Sequence, residues 1–390
     1  METLKEQKPT FRPFSSEPEI SFLLHEKGRR MGLPISGTFE LCKRCNFNCK
    51  MCYIHQKGDT AENELSASEW LELGKKARDA GTVFLLLTGG EPLVRSDFPE
   101  IYSGLKSLGL VVSVNTNGFL LSDEIADLFI KNPPYKLNIS LYGTDDESYK
   151  SLCGVPAFST VLKNIENLKA HGIQIKLNVS ITPENCDKIN EIYALSKRLK
   201  LNVKATTYMY PPIRTKGGKT GENTGRLSAA QAAEYRVKWD EARYGKTEFL
   251  RRVKGLEKGL YLNDKECIEP KDSGEEMRCR AGSSSFWVNY KGEMSACGVM
   301  TNEAFDTLTL GFDEAWRRVR ESTAKIRLPK ECTPCRFRHF CNVCAAVCYC
   351  ETGSTEKRPG YVCELSRLTA EYSAKRAHEL MNGDERNGED

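Results

Sequence analysis

Three cysteines on one short segment have a type and spacing suited to metal chemistry. The segment CNFNCKMC contains Cys45, Cys49 and Cys52, directly after a candidate strand. Thiolate sulfur is the ligand that iron–sulfur clusters use. Three thiolates on one loop can hold three irons of a 4Fe–4S cluster and leave the fourth iron open, where it can bind and reduce a substrate. A cluster held by four thiolates could only pass electrons.

Cys42 leaves a second interpretation of this loop open. With Cys45 it forms a CxxC pair, which by itself would suggest zinc or a redox pair. We expect Cys42 to be a buried, inert thiol, and a zinc site on the loop is the alternative.

A pair of glycines followed by a glutamate ends the second candidate strand, in the segment TGGEP with Gly89, Gly90 and Glu91. Paired glycines allow a ligand to approach the backbone closely, and Glu91 can accept hydrogen bonds from a cationic group. The alternative is that the segment is only a strand-to-helix turn.

A second set of cysteines follows, since ten of the 16 lie between Cys267 and Cys363. The four at 332, 335, 341 and 344 would suit a zinc ribbon, but one four-ligand site would leave too many cysteines unused. We therefore predict a separate metal-dependent lobe. Within it, Gly292 predicts the turn of a hairpin.

Apolar, β-branched runs alternate with amphipathic stretches before this lobe. The predicted strands are Ile35–Leu41, Val83–Thr88, Val111–Asn115, Lys136–Leu141, Ile173–Ile181 and Val203–Tyr208. The predicted helices are Ser66–Ala80, Asp97–Leu108, Ser122–Lys131, Ser159–His171, Cys186–Leu199 and about Ser228–Leu260. Five alternations and a sixth strand predict an α/β protein with a parallel sheet, open or closed as a barrel. Ligands of such sheets bind at the carboxyl ends of the strands.

The pattern divides the chain into five parts. They are an N-terminal extension (1–35), the sheet and its helices (36–210), a loop and helical linker (211–266), the cysteine-rich lobe (267–370) and a polar tail (371–390). We expect 211–226 to be a surface loop or a mobile segment beside a substrate entrance. We expect the last residues, from Met381, to fray.

Composition and net charge limit where in the cell the protein is expected and which classes of partner it is expected to bind. The net charge of +4 is too balanced to indicate nucleic acid, and no segment has the length of a membrane helix or the apolar core of a signal peptide. These features predict a cytoplasmic protein with neither nucleic acid nor a membrane as partner. Thiols there stay reduced, so the clustered cysteines are predicted to be metal ligands rather than disulfides.

The triad, with Met51 before its last cysteine and Tyr53 after it, resembles the signature of the radical SAM superfamily over residues 36–210. The resemblance implies a partial (β/α)6 barrel with a 4Fe–4S cluster that reductively cleaves S-adenosylmethionine to a 5′-deoxyadenosyl radical. A low-potential donor such as flavodoxin or ferredoxin would supply the electron. Gly89, Gly90 and Glu91 would bind the methionine amino group. Asn115, Thr116 and Ser140 would line the ribose or carboxylate side, with Asn178 a weaker candidate. For the polar residues, a loop cap is the alternative.

The later cysteines resemble the SPASM extension, which carries one or two auxiliary iron–sulfur clusters. By that resemblance Cys332, Cys335, Cys341 and Cys363 hold one cluster, and Cys279 and Cys297 help to hold the other. The chain departs from the usual x3 spacing after Cys341, and Cys344, Cys348 and Cys267 all remain candidates to complete the second cluster.

Enzymes with this extension mostly act on peptides or proteins, which implies a peptide substrate and a thioether, carbon–carbon crosslink, epimerised or oxidised product. Sulfatase maturases usually have an aspartate where this chain has Gly298, which weakens that interpretation. The roughly 35 residues before the first strand are too few for a winged-helix leader-binding domain. Any leader binding must therefore use the barrel, the loop at 211–226 or a separate leader-binding protein. A small-molecule dehydrogenase and a non-catalytic iron–sulfur or zinc protein are the alternatives. No residue is assigned as catalytic acid or base.

Overall fold

The computed structural model describes residues 19–54, 60–214, 218–265, 274–277 and 279–385. The strands are β1 (Ser36–Glu40), β2 (Phe84–Thr88), β3 (Val111–Thr116), β4 (Lys136–Ser140), β5 (Ile175–Ser180), β6 (Asn202–Thr206), β7 (Ser285–Val288), β8 (Glu293–Ser295) and β9 (Phe305–Asp306). The α-helices are α1 (Glu19–Met31), α2 (Ala67–Asp79), α3 (Phe98–Ser107), α4 (Asp123–Lys131), α5 (Asp146–Cys153), α6 (Phe158–Ala170), α7 (Ile189–Arg198), α8 (Ala229–Lys265), α9 (Thr307–Leu310), α10 (Phe312–Ala324), α11 (Ala345–Thr352) and α12 (Gly360–Glu385).

The first six strands confirm the predicted α/β sheet. They pair in parallel and in chain order from β1 to β6, with helices in the crossovers. The sheet does not close on itself, because β6 is one of its two ends. The six parallel strands therefore all end on the same side of the sheet, where their carboxyl ends lie next to one another. Within the described residues, the side of β6 that faces away from β5 is not covered by another strand.

Local sequence signals set where the helices begin and end. At the start of α2 the predicted capping box is present, since the Ser66 N–H donates to Glu69 Oε2 at 2.7 Å and the Glu69 N–H to Ser66 Oγ at 3.4 Å. At the end of α5, Gly154 takes the left-handed conformation with φ of 80°. Behind the sheet, Phe39 and Trp70 are fully buried, with ring centroids 4.8 Å apart.

The cysteine-rich region is joined to this sheet. β7 pairs in parallel with β1, and β8 and β9 continue the sheet in antiparallel fashion. The predicted cysteine-rich region is present and is attached to the sheet, because a strand from beyond residue 267 pairs with β1. The hairpin predicted at Gly292 is confirmed, with φ of 85° at that glycine between β7 and β8.

The C-terminal residues also differ from the predicted tail. α12 runs without a break through the proposed boundary at residue 370 as far as Glu385 and packs against α8, which is kinked at Gly245. This stretch is polar in composition, so the sequence analysis did not predict that it forms an amphipathic helix with one buried side. Residues 386–390 lie outside the described part.

The described residues of the 211–226 loop bind both to the parallel sheet and to the cysteine-rich region. The prediction of a surface loop did not include these contacts. Arg214 forms an ion pair with the buried Glu40 of β1 at 2.7 Å and donates to Gly298 O at 2.6 Å. Arg226 pairs with Glu351 of α11 at 2.6 Å. Residues 215–217 lie outside the described part. Among the described helices, none is both long enough and apolar enough to cross a bilayer.

Candidate active site

The three triad thiols lie together at the carboxyl end of the sheet. Cys45, Cys49 and Cys52 line one cavity of about 1010 Å³, and the Cys45 thiol interacts electrostatically with the other two. Burial raises the pKa of Cys45 to about 12. A thiolate at this position therefore needs a cation beside it, which is what a metal cluster provides.

Backbone hydrogen bonds hold the triad loop in place. The Asn48 N–H donates to Cys153 O at 2.9 Å, and the Lys50 N–H donates to Leu152 O at 3.1 Å. Both acceptors lie in the last turn of α5, which the sequence analysis missed. The loop thus has its shape from the protein chain itself.

Within the described ranges, no three His, Cys, Asp or Glu side chains converge closely enough to hold a single metal ion. Thiolate sulfur is a donor for zinc and for iron–sulfur clusters alike, so the preference for a cluster at this loop stays a prediction from the sequence.

Cys42 lies apart from the triad. It is fully buried, its Sγ donates to Glu91 O at 3.2 Å, and burial raises the pKa of its thiol. It is not among the cavity residues. The expected buried, inert thiol is therefore confirmed as buried, and its hydrogen bond links the triad loop to the end of β2.

The glycine pair lines the cavity and also has a close neighbour that the sequence did not indicate. A Cβ on Gly90 would lie 2.3 Å from Arg44 O, and one on Gly89 would lie 2.7 Å from Cys42 O. The Gly90 N–H donates to Cys42 O at 2.9 Å. What approaches these glycines closely is the chain's own triad loop, so the pair is needed to clamp that loop against β2.

Glu91 is fully buried and has three partners of its own. Its carboxylate accepts from Thr116 Oγ1 at 2.8 Å, from the Asn117 N–H at 2.6 Å and from the Leu93 N–H at 3.2 Å. Burial raises the pKa of this carboxyl to about 7, and the hydrogen bonds oppose that rise. The turn interpretation is thus correct in part, since Glu91 caps the short helix at 92–94, yet its side chain also lines the cavity.

The other predicted polar residues all line the same cavity, in two different roles. Asn115 and Ser140 face it from β3 and β4, and Asn178 faces it from β5, where it is part of the strand rather than a loop cap. Thr116 instead donates to Glu91 and so positions that carboxylate.

Asn117 and Tyr142 belong to the segments at the ends of β3 and β4 that the resemblance places beside the cofactor, and both line the cavity. The Asn117 Nδ2 lies 3.9 Å from Cys45 Sγ and 2.8 Å from Asn46 Oδ1. Tyr142 interacts with Cys49.

The C-terminal cysteines fall into two groups. The first consists of Cys332, Cys335, Cys341 and Cys363, which interact with one another, and Cys348 lies with them. Cys348 packs in one small apolar cluster with Cys332 and Cys341. The four cysteines predicted for one cluster are therefore neighbours, with a fifth thiol beside them.

The second group surrounds Cys297. Cys279 and Cys344 interact with it, and Cys350 packs in the same apolar cluster as Cys297 and Cys344. Cys350 was not among the predicted ligands, because its spacing of one residue from Cys348 on a helix gave no sign that the two thiols point to different groups. Cys267 lies outside the described residues.

Two tyrosine rings lie between the triad and the second group. Tyr53 directly follows Cys52, and its ring centroid is 5.8 Å from that of Tyr210. Tyr53 interacts with Cys52 and Cys297, while Tyr210 interacts with Cys297, Cys344 and Cys350. Both rings line the triad cavity, and the second group of cysteines lies on their other side, outside the lining of that cavity.

Known proteins resemble this chain most clearly over its parallel sheet. The sequence profile described as the Radical SAM superfamily matches residues 39–195. An AdoMet-dependent heme synthase of Nitratidesulfovibrio vulgaris is 23% identical over 334 residues, covering 81% of this chain and 88% of that protein. A probable GTP 3′,8-cyclase of Saccharolobus islandicus is 36% identical over 177 residues, covering 44% of this chain and 56% of that protein.

Two solved structures share the fold over both parts of the chain. Streptococcus suis SuiB bound to its precursor peptide SuiA has a TM-score of 0.62 at 18% identity, covering 91% of this chain and 83% of SuiB. The enzyme anSMEcpe with bound AdoMet has a TM-score of 0.65 at 16% identity, covering 90% of this chain and 100% of that one. Residues 39–195 therefore match the radical SAM superfamily profile, and the chain as a whole, including its cysteine-rich C-terminal region, shares the fold of these two structures.

Proposed function

We propose that this protein is a radical SAM enzyme that modifies a peptide, with Cys45, Cys49 and Cys52 as ligands of the cluster that acts on S-adenosylmethionine. The observation that carries the proposal is the single cavity that the triad, the Glu91 carboxylate and Tyr210 share. When bound, the cluster supplies the electron that cleaves S-adenosylmethionine.

The chain's own residues hold and orient the cofactor. The Glu91 carboxylate, fixed by Thr116 and Asn117, is placed to accept from the methionine ammonium group. Asn115 and Ser140 offer hydrogen bonds to its sugar and carboxylate. Tyr53 and Tyr210 restrict water between the triad and the second group of cysteines, which protects a reactive radical.

We assign the C-terminal thiols to two auxiliary clusters. Cys332, Cys335, Cys341 and Cys363 are the ligands of one, and Cys279, Cys297, Cys344 and Cys350 of the other. Mutual proximity supports both sets. Cys348 is then a neighbour of the first cluster rather than a ligand of the second. A low-potential donor such as ferredoxin or flavodoxin is the partner that would reduce these centres.

The peptide class is supported by the fold that this chain shares with SuiB, a structure that contains a precursor peptide. Action on a sulfatase is not favoured. A Cβ on Gly298 would lie 2.7 Å from the Trp287 ring, so an aspartate base at that position would have to displace the indole.

A second candidate is a small carboxylate-bearing molecule. It is supported by the heme synthase relatives, which match 81% of this chain, and by the cationic residues at one end of the cavity.

The experiment is to incubate the anaerobically reconstituted enzyme with S-adenosylmethionine, dithionite and peptides encoded by short reading frames beside its gene. We expect 5′-deoxyadenosine together with a mass change in one peptide. Modification of a small carboxylate-bearing molecule instead, with no peptide changed, would replace the first candidate by the second.

A further inference from the structure

The edge of β6 is open for pairing. β6 pairs with β5 on one side only and ends the sheet. The Ile181 N–H donates to Thr206 O at 2.9 Å. Since alternate residues of a parallel strand bond to the same neighbour, the N–H and C=O groups of Val203 and Ala205 point away from β5. In the described parts of the chain, no hydrogen bond satisfies these groups.

The cavity runs along this edge to the triad. An unbroken run from Lys204 to Tyr210 lines it, together with Cys45, Cys49 and Cys52. The lining includes the last three residues of β6, Lys204, Ala205 and Thr206, and continues through residues 207–210, which follow the strand and end beside Tyr53 next to the triad. An extended chain beside β6 would therefore lead towards the cysteines.

The end of the cavity away from the triad is positively charged. Lys204 on β6 and Arg236, Arg243 and Arg252 on α8 line it, and Asp240 is the one acidic lining residue at this end within the described residues. Lys204 has no carboxylate partner among the described ion pairs. On β5, burial and the nearby Lys204, Lys136 and Arg243 lower the pKa of Lys176, while on α8 Arg252 pairs with Glu248 at 2.8 Å.

We propose that an extended acidic peptide binds along the edge of β6 as an additional strand, with carboxylates facing Lys204 and the arginines of α8. This inference rests on the proposed function and names its substrate class. Main-chain pairing would provide affinity and hold the peptide extended, and the positive charge would select acidic side chains. The five residues of β6 span about 16 Å, enough to fix several peptide residues before the one to be modified.

The first test uses the unaltered holoenzyme with S-adenosylmethionine and a fluorescein-labelled peptide in which Glu alternates with Val. We expect binding by fluorescence anisotropy that is at least tenfold tighter than for a peptide with Gln in place of Glu, and that weakens as salt rises. Single N-methylation at each peptide position should weaken binding about threefold to tenfold at every second position and little between. Uniform losses, or no preference for the acidic peptide, would overturn the proposal.

The second test uses Ala205→Pro, which removes an outward N–H while the bonds from Lys204 and Thr206 to β5 remain. Ala205→Val keeps the N–H and is the matched control. We expect about threefold to tenfold weaker peptide binding for the proline variant and near-parent binding for the valine variant. Lys204→Gln should weaken the acidic peptide and leave the Gln peptide unchanged. Equal peptide binding by the Pro and Val variants would contradict strand addition. If Ala205→Pro misfolds, the series of N-methylated peptides still tests the proposal, because it uses the unaltered enzyme.

The outcomes separate this inference from the proposed function. If a peptide is modified but no alternation appears, the enzyme is a peptide maturase that binds its substrate elsewhere. If neither the acidic nor the Gln peptide binds and only a small carboxylate is turned over, the proposed function itself is wrong.

Discussion

The two cysteine-bearing regions are held in different ways. The triad loop lies against β2 and α5 through backbone hydrogen bonds, beside a core that contains Phe39 and Trp70. The first C-terminal group lies on short 3-10 turns and on the first turns of α11 and α12, around a small apolar cluster of Cys332, Val343 and Cys348. The first site is therefore shaped by the fold, whereas we expect the second to take its shape from bound metal.

The largest expected effect comes from the triad. Replacing Cys45, Cys49 and Cys52 by alanine should abolish 5′-deoxyadenosine formation and lower the iron content by about four per chain, because one cluster has four irons. The parallel sheet and its helices should stay folded, because backbone hydrogen bonds rather than the thiols hold the triad loop in place. Liquid chromatography and iron analysis measure both. Continued cleavage of S-adenosylmethionine would show that the cluster lies elsewhere.

Removal of metal should separate the two regions. Anaerobic chelation should make the segment from about residue 330 to residue 350 sensitive to protease while the barrel stays protected, because thiolate-bound metal replaces a core there. Limited proteolysis with mass spectrometry locates the cleavage sites. Equal protection of both regions with and without metal would mean that the C-terminal region folds on its own packing.

Cys350 tests how the second group is composed. Cys350→Ala should lower iron by up to about four per chain and stop product, while some uncoupled cleavage of S-adenosylmethionine continues at the triad. The buried Cys186, which lies in neither group, provides the matched control as Cys186→Ala. Iron, 5′-deoxyadenosine and product are measured in one preparation. If Cys348→Ala instead abolishes the cluster and Cys350→Ala does not, the assignment of these two thiols is reversed.

Glu91→Gln sharpens the role of the GGE segment. The amide keeps the shape and one acceptor oxygen but removes the charge, so S-adenosylmethionine should bind roughly tenfold more weakly, which is about 1.4 kcal/mol. Equilibrium titration measures the affinity, with the exposed Glu100→Gln as control. Unchanged affinity, with a lower melting temperature, would limit Glu91 to capping the turn and the triad loop.

The smallest effect is expected at the start of α5, whose last turn holds the triad loop. Asp145 accepts from the Ser148 N–H at 2.7 Å, and the ion pair with Lys188 lowers the pKa of Asp145 to about 2. Asp145→Ala should reduce the free energy of unfolding by about 1 kcal/mol. In the parent, the Asp145 contribution is present above the usual pKa of an aspartate and is lost as the pH falls towards 2. Denaturant titrations at neutral and acidic pH measure both; a variant as stable as the parent would show that this cap contributes nothing.

Sequence patterns predicted the six parallel strands because each is a short apolar, β-branched run between turn signals, and β1 to β6 lie within about two residues of the predicted bounds. Among the helices that they missed are α5 and α12. Each has polar residues on its exposed side, and its buried residues gain their apolar environment only from α6 and the Cys49 loop or from α8.

The sequence by itself determined the chemistry available to this protein: thiolates at cluster-forming spacing, a glycine pair before a glutamate, and polar residues at strand ends. The spacing of residues along the chain is sufficient to predict these motifs, because the residues of each motif lie on one loop. Tertiary structure decided the rest. It brought Cys350 to Cys297 and Cys348 to Cys332, placed the triad loop against Gly89 and Gly90, joined β7 to β1, and left β6 as an open edge beside positive charge. These contacts join residues far apart in the chain, and only the packing of helices and strands sets which side chains meet.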